Sequence, residues 1–239
     1  TTIASNKANG EGDDGKGGGV YAWIGSINTT NATISSNTAG EDGGGVALYG
    51  SSVFHAIDTT ISSNAAASNG GGVSIAELST FNATDTTISS NKANGASGGG
   101  VYSYMGTINT THATISSNTA GADGGGVTLY YISDTFTAID TTIASNAAAR
   151  NGGGVYVNSG TFNAESVVIR RNGAGTGGGI YWTSYGLIRT SGNGWNSTQD
   201  REAPFSVDTS GAVHDPRQTA DPVQVKENTA NTGKEMKGH

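Results

Sequence analysis

Several residue types are scarce in this chain of 239 residues, and each scarcity excludes a class of protein. Cysteine is absent, which excludes disulfides, thiolate metal sites and cysteine nucleophiles. No apolar run approaches the roughly 18 residues of a transmembrane helix, so we expect no membrane insertion. Charged residues make up 13% of the chain, the net charge is −7 and no basic stripe exists, which argues against nucleic acid as a partner. The remaining wealth of small polar residues predicts an extracellular or cell-surface location.

Glycine is abundant, with 39 residues, and it recurs as triplets every 25 to 28 residues. The triplets begin at Gly17, Gly43, Gly70, Gly98, Gly124, Gly152 and Gly177. An asparagine precedes each triplet, and from the second repeat onward these are Asn37, Asn64, Asn91, Asn118, Asn146 and Asn172. An isoleucine stands three residues before each asparagine, at a spacing that never changes. Segments of constant length joined by segments of variable length are typical of strands joined by turns.

The residue types and their alternation predict strands and exclude helices. Thr, Ser, Asn, Gly and Val fill the repeats, whereas the strong helix formers Leu, Glu and Lys are rare. Val46 and Leu48 alternate with Ala47 and Tyr49, which is the period of a half-buried strand. We therefore predict an all-β fold, a parallel β-helix (β-solenoid) of about seven coils over residues 1–188, with three short strands per coil. Residues 189–239 are predicted to form a non-repeating cap and polar tail that docks on the rod or on a neighbouring subunit.

Stacking coils about 4.8 Å apart turns each repeated position into a column. The isoleucines and the valines after the glycines are expected to form inward columns. The asparagine column is interpreted as structural, since stacked amides at a turn can satisfy backbone groups that would otherwise be buried unpaired. The glycines are expected at a coil corner, where backbones approach closely and left-handed angles are needed.

The repeated pattern I-S-x-N-x-A…G-G-G-V resembles a known family. It is similar to the repeats of chlamydial polymorphic outer-membrane proteins, whose paired motifs are F-x-x-N and G-G-A-[ILV]. The resemblance covers residues 1–188, with Ile in place of Phe and a third Gly in place of Ala. It implies a right-handed parallel β-helix of the kind found in surface proteins, and it implies secretion and adhesion or surface display.

One outward column of polar residues is a candidate site, and it holds Asn31, Asp58, Asp85, His112 and Asp140. Stacking is expected to bring Asp58 and Asp85 about 5 Å apart, a separation that suits retaining glycoside hydrolysis or Ca²⁺ binding. The alternative is that these are solvated bend residues, because Asp bonds its own backbone at bends. We predict no catalytic residue and no cofactor, and leave Ca²⁺ at Asp58 and Asp85 open.

A second outward array consists of hydroxyls, in the pairs Thr33 with Ser35, Thr60 with Ser62, Thr87 with Ser89 and Thr114 with Ser116. Regular hydroxyl ladders resemble those of ice-binding β-solenoids. Cross-strand pairing of Thr and Ser explains the same pattern structurally.

Aromatic residues give the clearest functional pattern outside the core. They recur one or three residues after the Val or Ile that follows each glycine triplet, on the outward side of the predicted strand. This predicted aromatic face comprises Tyr21, Trp23, Tyr49, Tyr102, Tyr104, Tyr130, Tyr156 and Tyr181. An exposed aromatic patch normally marks an interface, although strands favour aromatic residues in any case.

Together these features predict an extracellular structural and adhesive protein of the cell surface. We expect it to associate with itself into a fibre or surface layer through its coil ends, its tail and the aromatic face. A glycan or a host surface is the other partner that the sequence allows. The alternatives are a polysaccharide-binding or polysaccharide-degrading β-helix enzyme and, third, an ice-binding β-solenoid.

Overall fold

The computed structural model describes residues 1–10 and 15–191, together with the backbone of the two strands Ser206–Val207 and Thr229–Ala230. Every regular element in these described residues is a β-strand, and each strand pairs in parallel with its neighbours. The described part of the chain therefore contains no helix that could cross a membrane. The predicted β-solenoid of about seven coils is confirmed.

The strands fall into three parallel sheets that run along the rod. The first sheet contains β1 (Thr2–Ala4), β5 (Thr33–Ser35), β9 (Thr60–Ser62), β13 (Thr87–Ser89), β17 (Thr114–Ser116), β21 (Thr142–Ala144), β24 (Val168–Arg170) and β27 (Ser206–Val207). The second contains β2 (Lys7–Ala8), β6 (Thr38–Ala39), β10 (Ala65–Ala66), β14 (Lys92–Ala93), β18 (Thr119–Ala120), β22 (Ala147–Ala148), β25 (Gly173–Ala174) and β28 (Thr229–Ala230).

The third sheet has twelve strands in two ladders that share the long strand β23. One ladder contains β3 (Val20–Trp23), β7 (Val46–Tyr49), β11 (Val73–Ala76), β15 (Val101–Tyr104), β19 (Val127–Leu129) and β23 (Val155–Glu165). The other contains β4 (Ser26–Thr30), β8 (Val53–Ile57), β12 (Thr80–Thr84), β16 (Thr107–Thr111), β20 (Thr135–Ile139) and again β23, which also pairs with β26 (Ile180–Ser191). Each full coil therefore contains the three predicted strands and, after the asparagine, a fourth strand of two residues.

Stacked coils keep the sequence repeat in register, so identical residues become neighbours. Ile34 pairs with Ile61, and Phe54 pairs with Phe81, each 27 residues further along the chain. One continuous core contains the isoleucine column, the valine column and, between them, the Phe rings, of which Phe54 and Phe81 stack with centroids 5.2 Å apart. Each coil buries little apolar surface alone, so the stability of the rod comes from stacking.

Bends between strands fall where the sequence spacing requires them. The seven residues from Phe54 to Ile61 would put these side chains on opposite faces of a straight strand, yet both lie in the core. Asp58 resolves the conflict with a left-handed backbone, φ 46°, between β8 and β9. The equivalent residues of the other coils are left-handed too, among them Asn31, Asp85, His112 and Asp140.

The glycine triplets lie at a coil corner, and the three positions have different reasons to be glycine. In the triplet 43–45, Gly43 has a left-handed φ of 70°. A Cβ on Gly44 would lie 2.4 Å from the carbonyl oxygen of Gly71 in the next coil, a distance that no real Cβ contact shows. A Cβ on Gly45 would press against the Asn64 amide, 3.0 Å away. The first glycine of the triplet is therefore required for its left-handed φ, and the second and third are required because neighbouring groups lie too close for a side chain.

Two dipeptides of the predicted tail extend the rod. Ser206–Val207 pairs with Val168–Ile169, and Thr229–Ala230 pairs with Gly173–Ala174. The rest of the predicted tail, from residue 192 onward, lies outside the described residues, so its docking stays a prediction.

Candidate binding face

The structure places the six predicted asparagines in one fully buried column beside the glycine corner. The Oδ1 of Asn91 accepts hydrogen bonds from the backbone N–H and the side-chain amide of Asn64, both at 3.0 Å. The Nδ2 of Asn91 in turn donates to Asn118 Oδ1 and to the carbonyl oxygen of Ile61. The same pattern joins every coil from Asn37 to Asn172, so the amides serve backbone groups and each other and leave no open polar site.

The predicted aromatic face lies on the outward side of the first ladder of the third sheet, apart from the main core. Its residues stand in two columns, as the registers Trp23 with Tyr49 and Tyr156 with Tyr181 show. Neighbouring rings contact along the rod, and the Tyr156 and Tyr181 rings stack with centroids 5.6 Å apart. Trp23 and Tyr130 are exposed, with 52% and 47% of their surface accessible.

Only three of the eight residues predicted to form an exposed aromatic face are exposed, and Tyr102, Tyr104 and Tyr181 are half-buried. The expectation is wrong for Tyr49 and Tyr156, which keep only 7% and 9% of their surface accessible. The Tyr49 hydroxyl donates to Asp42 Oδ2 at 2.9 Å, and the Lys16 ammonium lies 4.0 Å from the ring centroid. Tyr156 is covered by its stacking partner in the next coil. Burial raises the pKa of Tyr156 to about 12 and that of Tyr49 further, with Asp42 adding to the effect on Tyr49.

An apolar edge follows this face, in the turns after the strands and, at Tyr185, within the long strand β26. We define the apolar edge as Ile24, Leu78, Met105, Tyr131, Ile132 and Tyr185. Ile24, Leu78 and Ile132 each expose 71% of their surface. Of the ten large hydrophobic side chains that are exposed in the described residues, eight belong to the aromatic face or the apolar edge, and only Ile57 and Leu187 do not. Contiguous exposure of this kind marks interaction surfaces in soluble proteins.

Backbone strain coincides with the apolar edge. Ile24, Leu78 and Met105 have left-handed φ values of 53°, 63° and 60°. Bulky residues, and β-branched isoleucine above all, rarely adopt this conformation, which costs on the order of 1–3 kcal/mol at each position. The chain thus keeps large apolar side chains pointing into solvent at positions that glycine or asparagine would occupy with less strain.

The fifth coil enlarges the apolar edge through a loop that the buried carboxylate of Asp134 holds in place. Its Oδ2 accepts hydrogen bonds from the backbone N–H groups of Tyr130 and Tyr131, at 2.9 and 2.6 Å. Its Oδ1 accepts from Ser103 Oγ and from the N–H of Gly106. Burial raises the pKa of Asp134, and these four hydrogen bonds oppose that rise. Sequence reasoning missed this residue, although acidic Asp134 stands where other coils have Ser52 and Ser79.

A second side-chain ladder, also missed, runs along the residue before each glycine triplet. Asp42 Oδ1 accepts from the backbone N–H and the amide of Asn69, and Asn69 Oδ1 accepts from the N–H of Ser97. Asn151 donates to Asp123 in the same way. Asp42 therefore has a structural role in addition to its contact with Tyr49.

The polar column that contains the weak metal candidates lies on an exposed corner. Asp58 and Asp85 are both exposed at left-handed bends. Asp85 contacts His112, with 3.6 Å between Oδ1 and Nδ1, and His112 contacts Asp140, with 3.5 Å between Nε2 and Oδ2. Within the part of the chain that the structure describes, no three acidic or histidine side chains come close enough to hold a metal ion.

The hydroxyl array of the first sheet is in register but incomplete. Thr33, Thr60, Thr87 and Thr114 pair in turn along strands β5, β9, β13 and β17. Ala144 replaces the serine in β21, and Val168 and Arg170 end the array in β24. Cross-strand pairing accounts for this geometry without a ligand.

Comparison with known proteins adds no family to this picture. No family model, no curated protein and no solved structure matches the chain.

Proposed function

We propose that this protein is an extracellular structural and adhesive rod of the cell surface, and that it associates through the aromatic face and the apolar edge. A second copy of the chain is the first partner, and a glycan or host surface is the other target that adhesion would require. In this proposal the chain is not an enzyme, and the polar columns stabilise coils.

The observation that supports the proposal best is the one-sided distribution of apolar surface. Eight of the ten large hydrophobic side chains that are exposed in the described residues lie along one side of the rod, and two of them, Ile24 and Leu78, sit on strained backbone. Interfaces are enriched in Tyr and Trp, and strain that packing does not require is often retained for function. Two flat rods could bury this side against each other along their length.

Composition and sequence pattern also support a surface role. The chain is rich in small polar residues, and its repeats resemble those of polymorphic outer-membrane proteins. That resemblance implies secretion and adhesion. The negative net charge keeps the rest of the surface soluble while one side associates.

Sedimentation velocity over a concentration series tests the proposal. We expect the sedimentation coefficient of the wild-type chain to rise with concentration. The double variant Trp23→Ser with Ile132→Ser should remain monomeric over the same range, because two exposed anchors of the interface are lost.

Ile57→Ser is the matched control, since Ile57 is also apolar and 44% exposed but lies on strand β8, away from the aromatic face. This variant should associate like the wild type. A wild-type chain that stays monomeric at every concentration, or a double variant that associates as strongly as the wild type, would overturn the proposal.

A further inference from the structure

The aromatic face contains a gap in its third coil. The two outward positions of strand β11 hold Ser74 and Ala76, where the next coil has Tyr102 and Tyr104 in register. On the preceding side the nearest ring is that of Tyr49, which packs against Ala76. The missing rings leave a groove of about 270 Å³, which we call the tyrosine slot. This volume lies just below the roughly 300–1,000 Å³ of drug-sized pockets and suits a small head group.

Three phenol rings line the tyrosine slot, those of Tyr49, Tyr102 and Tyr104. Burial raises the pKa of Tyr49 and of Tyr102, and the negative charge of Asp42 raises both further. These two rings therefore stay neutral at physiological pH, and their faces carry the negative potential of an aromatic quadrupole.

The charges that line the tyrosine slot have one sign. Asp42 and Glu77 line it, and among the residues that the structure describes no lysine, arginine or histidine belongs to its lining. The polar side chains at one end of the slot already make hydrogen bonds within the protein. Asp42 accepts from Asn69 and Tyr49, and the Asn69 amide is engaged with Asp42, Ser68 and Ser97. A sugar would need hydrogen-bonding groups that are free, whereas a cation is attracted by the negative charges of Asp42 and Glu77 without making directed hydrogen bonds. The lining thus favours a positively charged ligand with few hydrogen-bonding demands.

Tyr49 shows that a ring of this face attracts an ammonium, because that of Lys16 from the preceding coil lies 4.0 Å from its ring centroid. This contact and the burial of Tyr49 leave the half-buried rings of Tyr102 and Tyr104 for a ligand. Ser74 Oγ is buried beside the Tyr49 hydroxyl, whose pKa it lowers against the larger effects.

We propose that the tyrosine slot binds a quaternary ammonium group by cation–π contacts with Tyr102 and Tyr104. This inference rests on the proposed role of the aromatic face as a binding surface, and it names the chemistry recognised at one point of it. A choline head group, free in solution or carried by a lipid, has the required charge and shape.

Calorimetric titration of the full chain with choline and with tetramethylammonium tests the slot. Both should bind, and the neutral isostere 3,3-dimethylbutan-1-ol should bind at least about tenfold more weakly. Tyr104→Ala should weaken choline binding at least about tenfold. Ala76→Tyr restores the ring that the repeat lacks, so it should fill the slot and abolish binding. Tyr181→Ala removes an outward tyrosine far from the slot and should bind choline like the wild type.

Circular dichroism melting confirms that each variant is folded before titration. Co-sedimentation with phosphatidylcholine vesicles, compared with phosphatidylglycerol vesicles, shows whether a lipid-borne head group is reached as well as a free one. Equal binding of choline and its neutral isostere, binding of glucose in place of choline, or unchanged binding by Ala76→Tyr would overturn the proposal. Sedimentation of the same samples separates the two proposals, because association without choline binding overturns the tyrosine slot alone.

Discussion

At the scale of single residues, the asparagine column shows how a polar side chain can be a core residue. Asn91 is buried, and its side chain satisfies the Asn64 backbone N–H, the Asn64 amide and the Ile61 carbonyl in one site. No apolar residue of similar size could replace it, because these backbone groups would lose their partners inside the rod.

Replacing Asn91 by alanine should therefore lower the free energy of unfolding by about 3 kcal/mol or more, since each unsatisfied buried group costs about 1–3 kcal/mol. Asn94→Ala is the matched control, because Asn94 is exposed and its amide makes one bond to Ala66. That variant should lose less than about 1 kcal/mol. Urea denaturation measures both values, and equal losses would contradict the structural role of the column.

The glycine corner makes a second prediction at this scale. Gly44→Ala should lower the free energy of unfolding by about 3 kcal/mol or more, because its Cβ would collide with rigid backbone of Gly71 and Ala65. Gly25→Ala meets no atom within 4 Å and should leave stability unchanged or raise it by about 0.4–1 kcal/mol. Thermal unfolding of the two variants shows whether stability is lost through the collision at position 44 or through replacement of any glycine. Equal losses in the two variants would contradict the collision.

At the scale of the element, the loop of the fifth coil depends on one buried carboxylate. Asp134 accepts four hydrogen bonds, yet burial outweighs them and raises its pKa from the usual value for an aspartate. A raised native pKa means that the folded state binds the proton more tightly than the unfolded state does. Stability contributed by this group is therefore full below the unfolded pKa, about 3.9, and is lost as the pH rises through the native pKa.

We expect the wild-type free energy of unfolding to decline as the pH rises from about 4 across this interval. Asp134→Asn should remove that decline. It should also lower stability at neutral pH by about 2–4 kcal/mol, because an amide NH₂ group cannot accept, so either the Gly106 N–H or the N–H groups of Tyr130 and Tyr131 lose their acceptor. Asp58→Asn, which removes a carboxylate at an exposed bend, is the matched control. Denaturation at a series of pH values tests this, and an unchanged decline in Asp134→Asn would exclude Asp134 as its source.

The elements that sequence reasoning predicted correctly are those with a constant repeat. The isoleucine and valine columns, the bend near Asp58 and the glycine corner all follow from spacing and alternation. The two-residue strands of the second sheet escaped prediction because a pair such as Thr38–Ala39 is too short to show any periodicity. The burial of Tyr49 also escaped, since it involves contacts with Asp42 and with Lys16, and no other repeat has a lysine directly before its glycine triplet.

At the scale of the whole molecule, the repeat produces a rod with chemically different sides. Seven coils at about 4.8 Å give a length of about 35 Å. The first sheet shows hydroxyls to solvent, one corner shows the column of Asp85, His112 and Asp140, and the third sheet carries the aromatic face and apolar edge. Because each side is a set of columns, an interface on one coil continues on the next wherever the repeat keeps the same residue type, and it is interrupted where the repeat departs, as at Ser74 and Ala76.

We expect the aromatic face and the apolar edge to join rods side by side. Negative-stain electron microscopy, at a concentration where the chain sediments as an oligomer, shows directly which surfaces of the rods are in contact. Wild-type rods should touch along their long sides, and the double variant Trp23→Ser with Ile132→Ser should give only single rods. Isolated wild-type rods at every concentration, or contacts made only through the rod ends, would contradict this expectation.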